Sequence, residues 1–309
     1  MKSSILITGG TGFIGSAFVE RLLKDGLSII LLVRNPPIKK LDGVTYIASG
    51  KYFDSVEVSS LRDVDAIVHF AGVKEDSIDI YKVNVDVTES LAKLAKKINV
   101  SKFIFLSSVG VHGSFSYDII TEESPYKPVS PYTKSKVMAE KIIVDTLRGT
   151  NVKYYLIRPP VVYSEDAEGS FGLLLKLLSL PVLLPFGSAN NKRSMISLNN
   201  LVDFLQHTLL SEKGESGAYL ICDSQVNSIK EIVIKLRVSM GKSPVNVVRF
   251  PIVFLKYLLF GLGKKSVYEH LFLSLRMDCT KAKEVFDWTP VVNINDELNR
   301  IGNCRSYND

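Results

Sequence analysis

The chain has 309 residues, of which 46% are hydrophobic, and a formal net charge of +6. This length and apolar content exclude a disordered chain and allow one large domain with a smaller lobe. The basic residues are scattered rather than gathered into a stripe, which argues against a nucleic-acid-binding protein, and three well-separated cysteines predict neither a disulfide framework nor a metal site.

Two apolar segments bear on localisation. The run at 5–7 is too short for the core of a signal peptide, and no stretch approaches the ~20 apolar residues that span a bilayer. We therefore expect a cytoplasmic protein without stable membrane insertion. Segment 250–262 is the most apolar and is followed by Lys264 and Lys265. It is interpreted either as a helix packed over a substrate cleft or as a helix lying on a membrane surface.

Short β-branched runs alternate with helical stretches through the first two-thirds of the chain. Strands are predicted at 4–8, 28–33, 44–48, 66–70, 102–106 and 153–157, and helices at 14–24, after Asn84 and after Pro131. Such repeated units predict an α/β fold, a doubly wound parallel sheet covered by helices on both faces. Residues 1–165 are predicted to form this domain, with about 196–223 returning to the sheet, and 166–309 mainly a small C-terminal α/β lobe.

A glycine-rich turn spans 9–15, between the first predicted strand and the first predicted helix. Glycines there let the backbone approach a pyrophosphate, and the helix N-terminus offers free N–H groups. The turn therefore predicts a dinucleotide site, with contacts from Gly9, Thr11, Gly12, Phe13, Ile14 and Gly15.

The second predicted strand ends differently from an NAD-binding strand. Val33 stands where an acidic residue would hold the ribose hydroxyls of NAD, and Arg34 follows. Because arginine pairs with phosphate in bidentate geometry, this favours NADP(H), while NAD(H) stays open. The alternative is that Arg34 is only a solvent-facing loop residue.

A catalytic pair is predicted on the helix that follows Pro131. Tyr132 and Lys136 lie one turn apart, which places a phenol beside an ammonium. The nearby lysine and an oxidised nicotinamide would both favour the phenolate, so we expect the pKa of Tyr132 to be lowered toward neutrality. Tyr132 could then pass a proton to or from a substrate oxygen while hydride moves. Ser108, at the carboxyl end of strand 102–106, could hydrogen-bond that oxygen.

Taken together, these motifs resemble the extended short-chain dehydrogenase/reductase family, whose sheet is of the Rossmann type, over essentially the whole chain. The likeness rests on the turn at 9–15, the segments 69–72 and 158–160, Asn84, Ser108 and the Tyr132–Lys136 pair. It implies a catalytic set and a cofactor contact surface. The catalytic set is Ser108, Tyr132, Lys136 and Asn84, and further cofactor contacts are Phe70, Ala71, Gly72 and Pro159, with Lys136 on the nicotinamide ribose.

The C-terminal half resembles the nucleotide-sugar branch of this family, which implies a UDP-sugar substrate. Segment 191–203 places Arg193 where relatives contact the diphosphate; the alternative is a surface Arg–Asp pair. Sugar 4,6-dehydratases carry Asp-Glu where Val109 and Gly110 stand, so dehydration is not expected. Lys74 matches a substrate-binding lysine of 4-epimerases. The resemblance also implies a homodimer.

Two reactions at carbon C4 of the sugar remain as candidate activities. The preferred one is reduction of a UDP-4-keto-6-deoxy-N-acetylhexosamine for surface polysaccharide synthesis, because Val33 and Arg34 do not suit retained NAD. The second is a UDP-hexose or UDP-N-acetylhexosamine 4-epimerase with bound NAD. A third, from a different class, is a non-catalytic dinucleotide sensor, which the intact Ser108, Tyr132 and Lys136 disfavour.

Overall fold

The structure, a computed structural model, describes residues 4–35, 37–50, 61, 63–73, 78–167 and 169–306. Its strands are β1 (Ser4–Thr8), β2 (Ser28–Val33), β3 (Val44–Ala48), β4 (Val64–His69), β5 (Lys102–Leu106), β6 (Ile119–Ile120), β7 (Lys153–Arg158), β8 (Val161–Tyr163), β9 (Met195–Ser197), β10 (Gly217–Leu220) and β11 (Arg276–Met277).

Its helices are α1 (Phe13–Lys24), α2 (Val87–Ile98), α3 (Pro131–Leu147), α4 (Gly169–Ser179), α5 (Leu198–Leu210), α6 (Ile229–Ser239), α7 (Ile252–Gly261), α8 (Lys265–Phe272), α9 (Thr280–Phe286) and α10 (Ile294–Ser306). A π-helical turn at Lys82–Asp86 leads into α2, and a 3₁₀ turn at Val109–His112 follows β5.

Seven strands form one parallel sheet in the order β10-β7-β5-β4-β1-β2-β3. Strands β1 to β3 extend the sheet in one direction and β4, β5, β7 and β10 in the other, so the strand order reverses between β1 and β4. This arrangement confirms the predicted Rossmann-type, doubly wound fold. The fourth strand begins at Val64 rather than 66, because Val64 is already buried and paired with Ser4.

Helices cover both faces of the sheet. On one face Phe18 and Leu22 of α1 pack with Phe204 and Leu205 of α5. On the other face, residues of α2 and α3 form a second core with the strands between them. Because both faces are covered, the central strands read as nearly continuous apolar runs.

A separate hydrophobic cluster lies in the C-terminal half. It joins α4, α6, α8 and α10 through Leu175, Leu236, Phe272 and Leu298. The short pair β8–β9 connects this cluster to the sheet, since β8 follows β7 directly along the chain. The lobe therefore has a core of its own.

The structure also places the cysteines and the apolar segment 250–262. Cys222 and Cys279, which are distant in sequence, meet in the interior with their Sγ atoms 2.6 Å apart. No helix in the described ranges is long and apolar enough to cross a membrane. Helix α7, in the apolar segment 250–262, contains no fully buried residue.

Candidate active site

A cavity of about 660 Å³ opens at the carboxyl ends of β1, β2 and β4. It is lined by Gly9, Thr11, Gly12, Leu32, Val33, Arg34, Asn35, Gly50, Phe70, Ala71, Gly72, Val73 and Val83. This is the edge at which open parallel sheets bind ligands, at the point where the strand order reverses. Seven of the residues predicted to hold a cofactor line it: Gly9, Thr11, Gly12, Arg34, Phe70, Ala71 and Gly72.

The glycine-rich turn is built so closely that side chains are excluded. Gly9 has a φ of +70°, and a Cβ there would lie 2.6 Å from the backbone nitrogen of Ala71. A Cβ on Gly15 would lie 2.1 Å from the carbonyl oxygen of Gly9. Gly12 is the N-cap of α1 and supplies no side-chain cap, so the first turn of the helix presents its N–H groups toward the cavity edge. These features fit a dinucleotide pyrophosphate.

The substitution Gly15→Ala is expected to weaken dinucleotide binding at least ~10-fold, because the new methyl group displaces the Gly9 carbonyl and the turn it belongs to. Titration of the protein with NADPH and NADH measures the effect. Gly261→Ala is the matched control, since a Cβ there meets nothing within 4 Å. Equal affinities in the two variants would contradict this role of the turn.

One end of the cavity lacks a carboxylate. Val33, Arg34, Asn35 and Gly50 line it, and no acidic side chain is among the described lining residues. Arg34 is exposed and belongs to the wall. This end of the cavity therefore offers a cation where an NAD-specific pocket would offer an acid.

The other end of the cavity meets the predicted catalytic pair. A Cβ on Gly72 would lie 3.5 Å from Nζ of Lys136 and 3.3 Å from Oδ1 of Asn84. Helix α3 carries Tyr132 and Lys136 on one face and begins with a capping box between Ser130 and Thr133. Nζ of Lys136 donates to the Leu106 carbonyl at 2.9 Å and lies 5.8 Å from the centre of the Tyr132 ring.

Burial sets the protonation of this pair. It lowers the pKa of Lys136 to about 8, with Glu140 acting in the opposite direction. It raises the pKa of Tyr132 to about 12. Without a cofactor the pKa of Tyr132 is therefore raised and not lowered, because burial disfavours the charged phenolate. At neutral pH the Tyr132 hydroxyl is a proton donor.

Ser108 lies at the end of β5 and caps the 3₁₀ turn that packs against α3. Its Oγ accepts a hydrogen bond from the Gly110 backbone N–H at 3.0 Å. A Cβ on Gly110 would lie 2.8 Å from Cγ2 of Thr133 and 3.2 Å from Oγ of Ser108. Position 110 therefore has no room for a side chain, because it faces the first turn of α3.

Asn84 connects the cavity wall to α3. Its Oδ1 accepts from the Val73 N–H at 2.8 Å, and its Nδ2 donates to the Val73 carbonyl and to Oγ of Ser135. The π-helical turn at Lys82–Asp86 gives this side chain its position. Asn84 thus positions the segment beside Lys136. Lys74, one residue beyond Val73, lies outside the described residues.

Phe13, Ile14 and Pro159, which were also predicted to contact the cofactor, are not among the residues that line the cavity. Phe13 and Ile14 form the first turn of α1, and the carbonyl of Pro159 accepts from the Val109 N–H at 2.9 Å. Below the turn, His69 is hydrogen-bonded to Thr8 and Thr88, and Thr8 Oγ1 accepts from the Ala71 N–H. Burial, together with the charge of Lys136, lowers the pKa of His69 to about 3, so it is neutral.

A buried ionic network beside α3 was not predicted. Glu140, one turn after Lys136, accepts from Arg158 Nε at 3.0 Å and from its Nη2 at 2.7 Å. Ser107 and Tyr126 also donate to its carboxylate. The spacing Tyr132, Lys136, Glu140 on one helix face is the signal that could have found it.

His112 completes this network. Nη1 of Arg158 donates to His112 Nε2 at 3.0 Å, which leaves Nδ1 to donate to the Pro125 carbonyl. The His112 ring stacks on Tyr126, and burial followed by the Arg158 charge lowers its pKa. Its role is to hold the loop after Ser108 against the network.

Arg193 is neither an exposed residue nor part of an Arg–Asp pair. It is buried, and its Nη1 donates to the carbonyls of Glu269 and Leu273 on and after α8. Burial lowers its pKa to about 10, so it stays charged at neutral pH. Asp203, the aspartate of segment 191–203, pairs with Arg21 and accepts a hydrogen bond from the Trp288 indole.

Comparison with known proteins adds to this geometry. The family model described as "NAD dependent epimerase/dehydratase family" matches residues 5–222. A "UDP-glucose 4-epimerase" of Vibrio cholerae is 32% identical over 94% of this chain and 92% of its own. An Escherichia coli O157:H7 protein, named "N-acetyl-alpha-D-glucosaminyl-diphospho-ditrans,octacis-undecaprenol 4-epimerase", is 26% identical over 85% of this chain and 78% of its own.

The fold is shared with solved structures. The crystal structure of the UDP-glucuronic acid 4-epimerase from Bacillus cereus, in complex with NAD, superposes with a TM-score of 0.77. It is 21% identical, and the match covers 96% of this chain and 96% of that one. At this identity the likeness concerns the fold.

Proposed function

Because the chain belongs to the NAD dependent epimerase/dehydratase family, we propose that it transfers hydride at C4 of a UDP-sugar, by reduction of a 4-keto sugar. The preferred substrate class is a UDP-4-keto-6-deoxy-N-acetylhexosamine. The observation that carries the proposal is the meeting of Lys136, Asn84 and Gly72 at the inner end of the dinucleotide cavity, with Tyr132 one helical turn from the lysine.

The surroundings of Ser108 argue against dehydration. A 4,6-dehydratase needs a carboxylate pair after this serine, for acid/base work on the sugar ring. Here Val109 is apolar, and any side chain at Gly110 would collide with Thr133.

The residues can perform a reduction as follows. A bound nicotinamide cofactor supplies the hydride. Tyr132 donates its hydroxyl proton to the C4 oxygen, since its raised pKa keeps this hydroxyl protonated at neutral pH. The ammonium of Lys136 then stabilises the phenolate that remains, and Ser108 holds the reacting oxygen. Asn84 keeps the Val73 segment and α3 in register.

The reaction is expected to slow as the pH rises through about 8. Above the pKa of Lys136 the ammonium becomes neutral and no longer stabilises the phenolate, so kcat/KM should fall ~10-fold per pH unit. Below that pH, both Lys136 and Tyr132 carry their protons and the rate should level off. A pH–rate profile of the reduction measures this, and a flat profile to pH 10 would contradict it.

We assign the cofactor as NADP(H), on the exposed Arg34 at the acid-free end of the cavity. Charge-assisted hydrogen bonds to phosphate contribute roughly 1.5–3 kcal/mol, so Arg34→Ala is expected to raise the KM for NADPH at least ~10-fold and leave that for NADH unchanged. Steady-state kinetics with both cofactors check this. Lys97→Ala on the exposed face of α2 is the control. If Arg34→Ala changed the KM values for NADPH and NADH equally, Arg34 would not select NADP(H).

The diphosphate of the UDP-sugar is assigned to Arg193. Its guanidinium donates to backbone carbonyls, so within the described contacts no carboxylate compensates its positive charge. Such a buried charge attracts an anionic group. We expect Arg193→Gln to lose the binding of UDP and to keep the binding of NADPH.

The second candidate is C4 epimerisation with retained NAD, which is favoured by the similarity to the Vibrio and Escherichia 4-epimerases. One experiment separates the two. The purified protein is incubated with NADPH and the UDP-4-keto-6-deoxy-N-acetylhexosamine, and the absorbance of the nicotinamide is followed. Stoichiometric oxidation supports the reductase. If UDP-hexose epimers interconvert without added cofactor, and NADPH is not oxidised, the protein is a C4 epimerase and the reductase proposal is wrong.

A further inference from the structure

Helix α7 exposes an apolar surface that the chain does not cover. Ile252, Leu255 and Leu259 turn inward and pack against the C-terminal cluster. The opposite side carries Val253, Phe254, Tyr257 and Leu258, each 59–69% exposed. We define these four residues as the outward face of α7. A helix that is apolar on both sides, with only one side packed, has a further partner.

The neighbouring chain extends this surface. Residues 184–187 hydrogen-bond through their backbone to 246–248, which lead into α7. Leu183, immediately before this pairing, is 68% exposed. Phe250 and Leu262, at the two ends of the helix, are exposed as well. The apolar surface is therefore wider than one helix.

The charged residues around α7 indicate what kind of partner its exposed apolar surface would bind. From residue 232 to 268 the sequence contains no aspartate or glutamate, whereas Arg249, Lys256, Lys264 and Lys265 surround the helix. Lys264 and Lys265 are exposed, and Lys256 lies 5.7 Å from the centre of the Phe260 ring. Lys265 lies 3.7 Å from the carboxylate of Glu269, but Arg249, Lys256 and Lys264 lie in the stretch without acidic residues. A symmetric dimer through this face would therefore bring these three cations close to their copies. An anionic lipid surface complements both the apolar face and its basic border.

The length of α7 determines how it can bind a membrane. Ten residues of α-helix extend about 15 Å, half of the ~30 Å of a bilayer core. The helix can therefore lie in the plane of the interface but not cross it. We propose that the outward face of α7 docks the protein reversibly on the surface of an anionic membrane.

Docking would orient the substrate lobe. Helix α7 packs on α8, and the carbonyls of Glu269 and Leu273, at the end of α8, accept the hydrogen bonds of Arg193. The proposed membrane face thus lies one helix away from the residue assigned to the substrate diphosphate. This inference does not depend on which C4 reaction the site performs.

Co-sedimentation of the full chain with vesicles tests the proposal. Binding is expected to vesicles of phosphatidylcholine with phosphatidylglycerol, to weaken with added salt, and to be weak on phosphatidylcholine alone. Lys264→Gln with Lys265→Gln should lower the partition coefficient roughly 25-fold, about fivefold per lysine. Lys96→Gln with Lys97→Gln, at two exposed lysines of α2, is the matched charge control and should not change vesicle binding.

The apolar contribution is tested separately. Phe254→Ser with Leu258→Ser should abolish vesicle binding, while Tyr117→Ser, at another exposed aromatic residue, should not. Circular dichroism and NADPH binding verify that the variants fold. No binding of the wild type to anionic vesicles would overturn the proposal. So would a dimer in sedimentation analysis that Phe254→Ser with Leu258→Ser dissociates, since the face would then bind a second copy.

Discussion

Replacing Tyr132 with phenylalanine is expected to lower kcat by ~10²–10⁴-fold, because the variant lacks only the hydroxyl that donates the proton. The ring remains, so its contact with Lys136 and the path of α3 should persist. The KM for cofactor should therefore change little. Steady-state kinetics together with NADPH titration measure the two effects independently.

Tyr117→Phe is the matched control, because its ring is 83% exposed and lies outside the site. It should retain full activity. If Tyr132→Phe kept activity within threefold of the wild type, Tyr132 would not be the proton donor. If it lost NADPH binding as well, the tyrosine would act on the cofactor and not on the substrate oxygen.

Replacing Glu140 with alanine is expected to destabilise the protein by ~3–5 kcal/mol, because it leaves the Arg158 charge buried without a partner. Both side chains are almost fully buried, and Ser107 and Tyr126 would lose their acceptor as well. The catalytic helix is anchored by this carboxylate. Urea unfolding, followed by circular dichroism, gives the change in free energy.

Glu89→Ala is the control, since Glu89 forms an exposed i,i+4 pair with Lys93. Its loss should cost about 0.5 kcal/mol or less. The double substitution Glu140→Leu with Arg158→Met should recover part of the stability lost in Glu140→Ala, because no uncompensated charge remains. Equal stability of Glu140→Ala and Glu89→Ala would show that the buried network contributes nothing to stability.

The sequence by itself determined the architecture and the family. Alternation of β-branched runs with helical patterns predicted the parallel sheet, since burial on both faces requires apolar strands. The glycines at 9–15 predicted the turn, because only residues without a Cβ allow the approach of Gly15 to Gly9. The spacing of Tyr132 and Lys136 placed both on one face of α3, since that relation is local to a helix.

Tertiary structure decided what depends on distant segments. The pKa of Tyr132 rises because packing removes water from the phenol, and no spacing reveals that. Glu140 and Arg158 meet across elements, as do Cys222 and Cys279, through contacts that local patterns do not encode. The burial of Arg193 and the exposure of α7 likewise follow from how α8 and the C-terminal cluster pack, because an apolar sequence does not state which of its faces finds a partner.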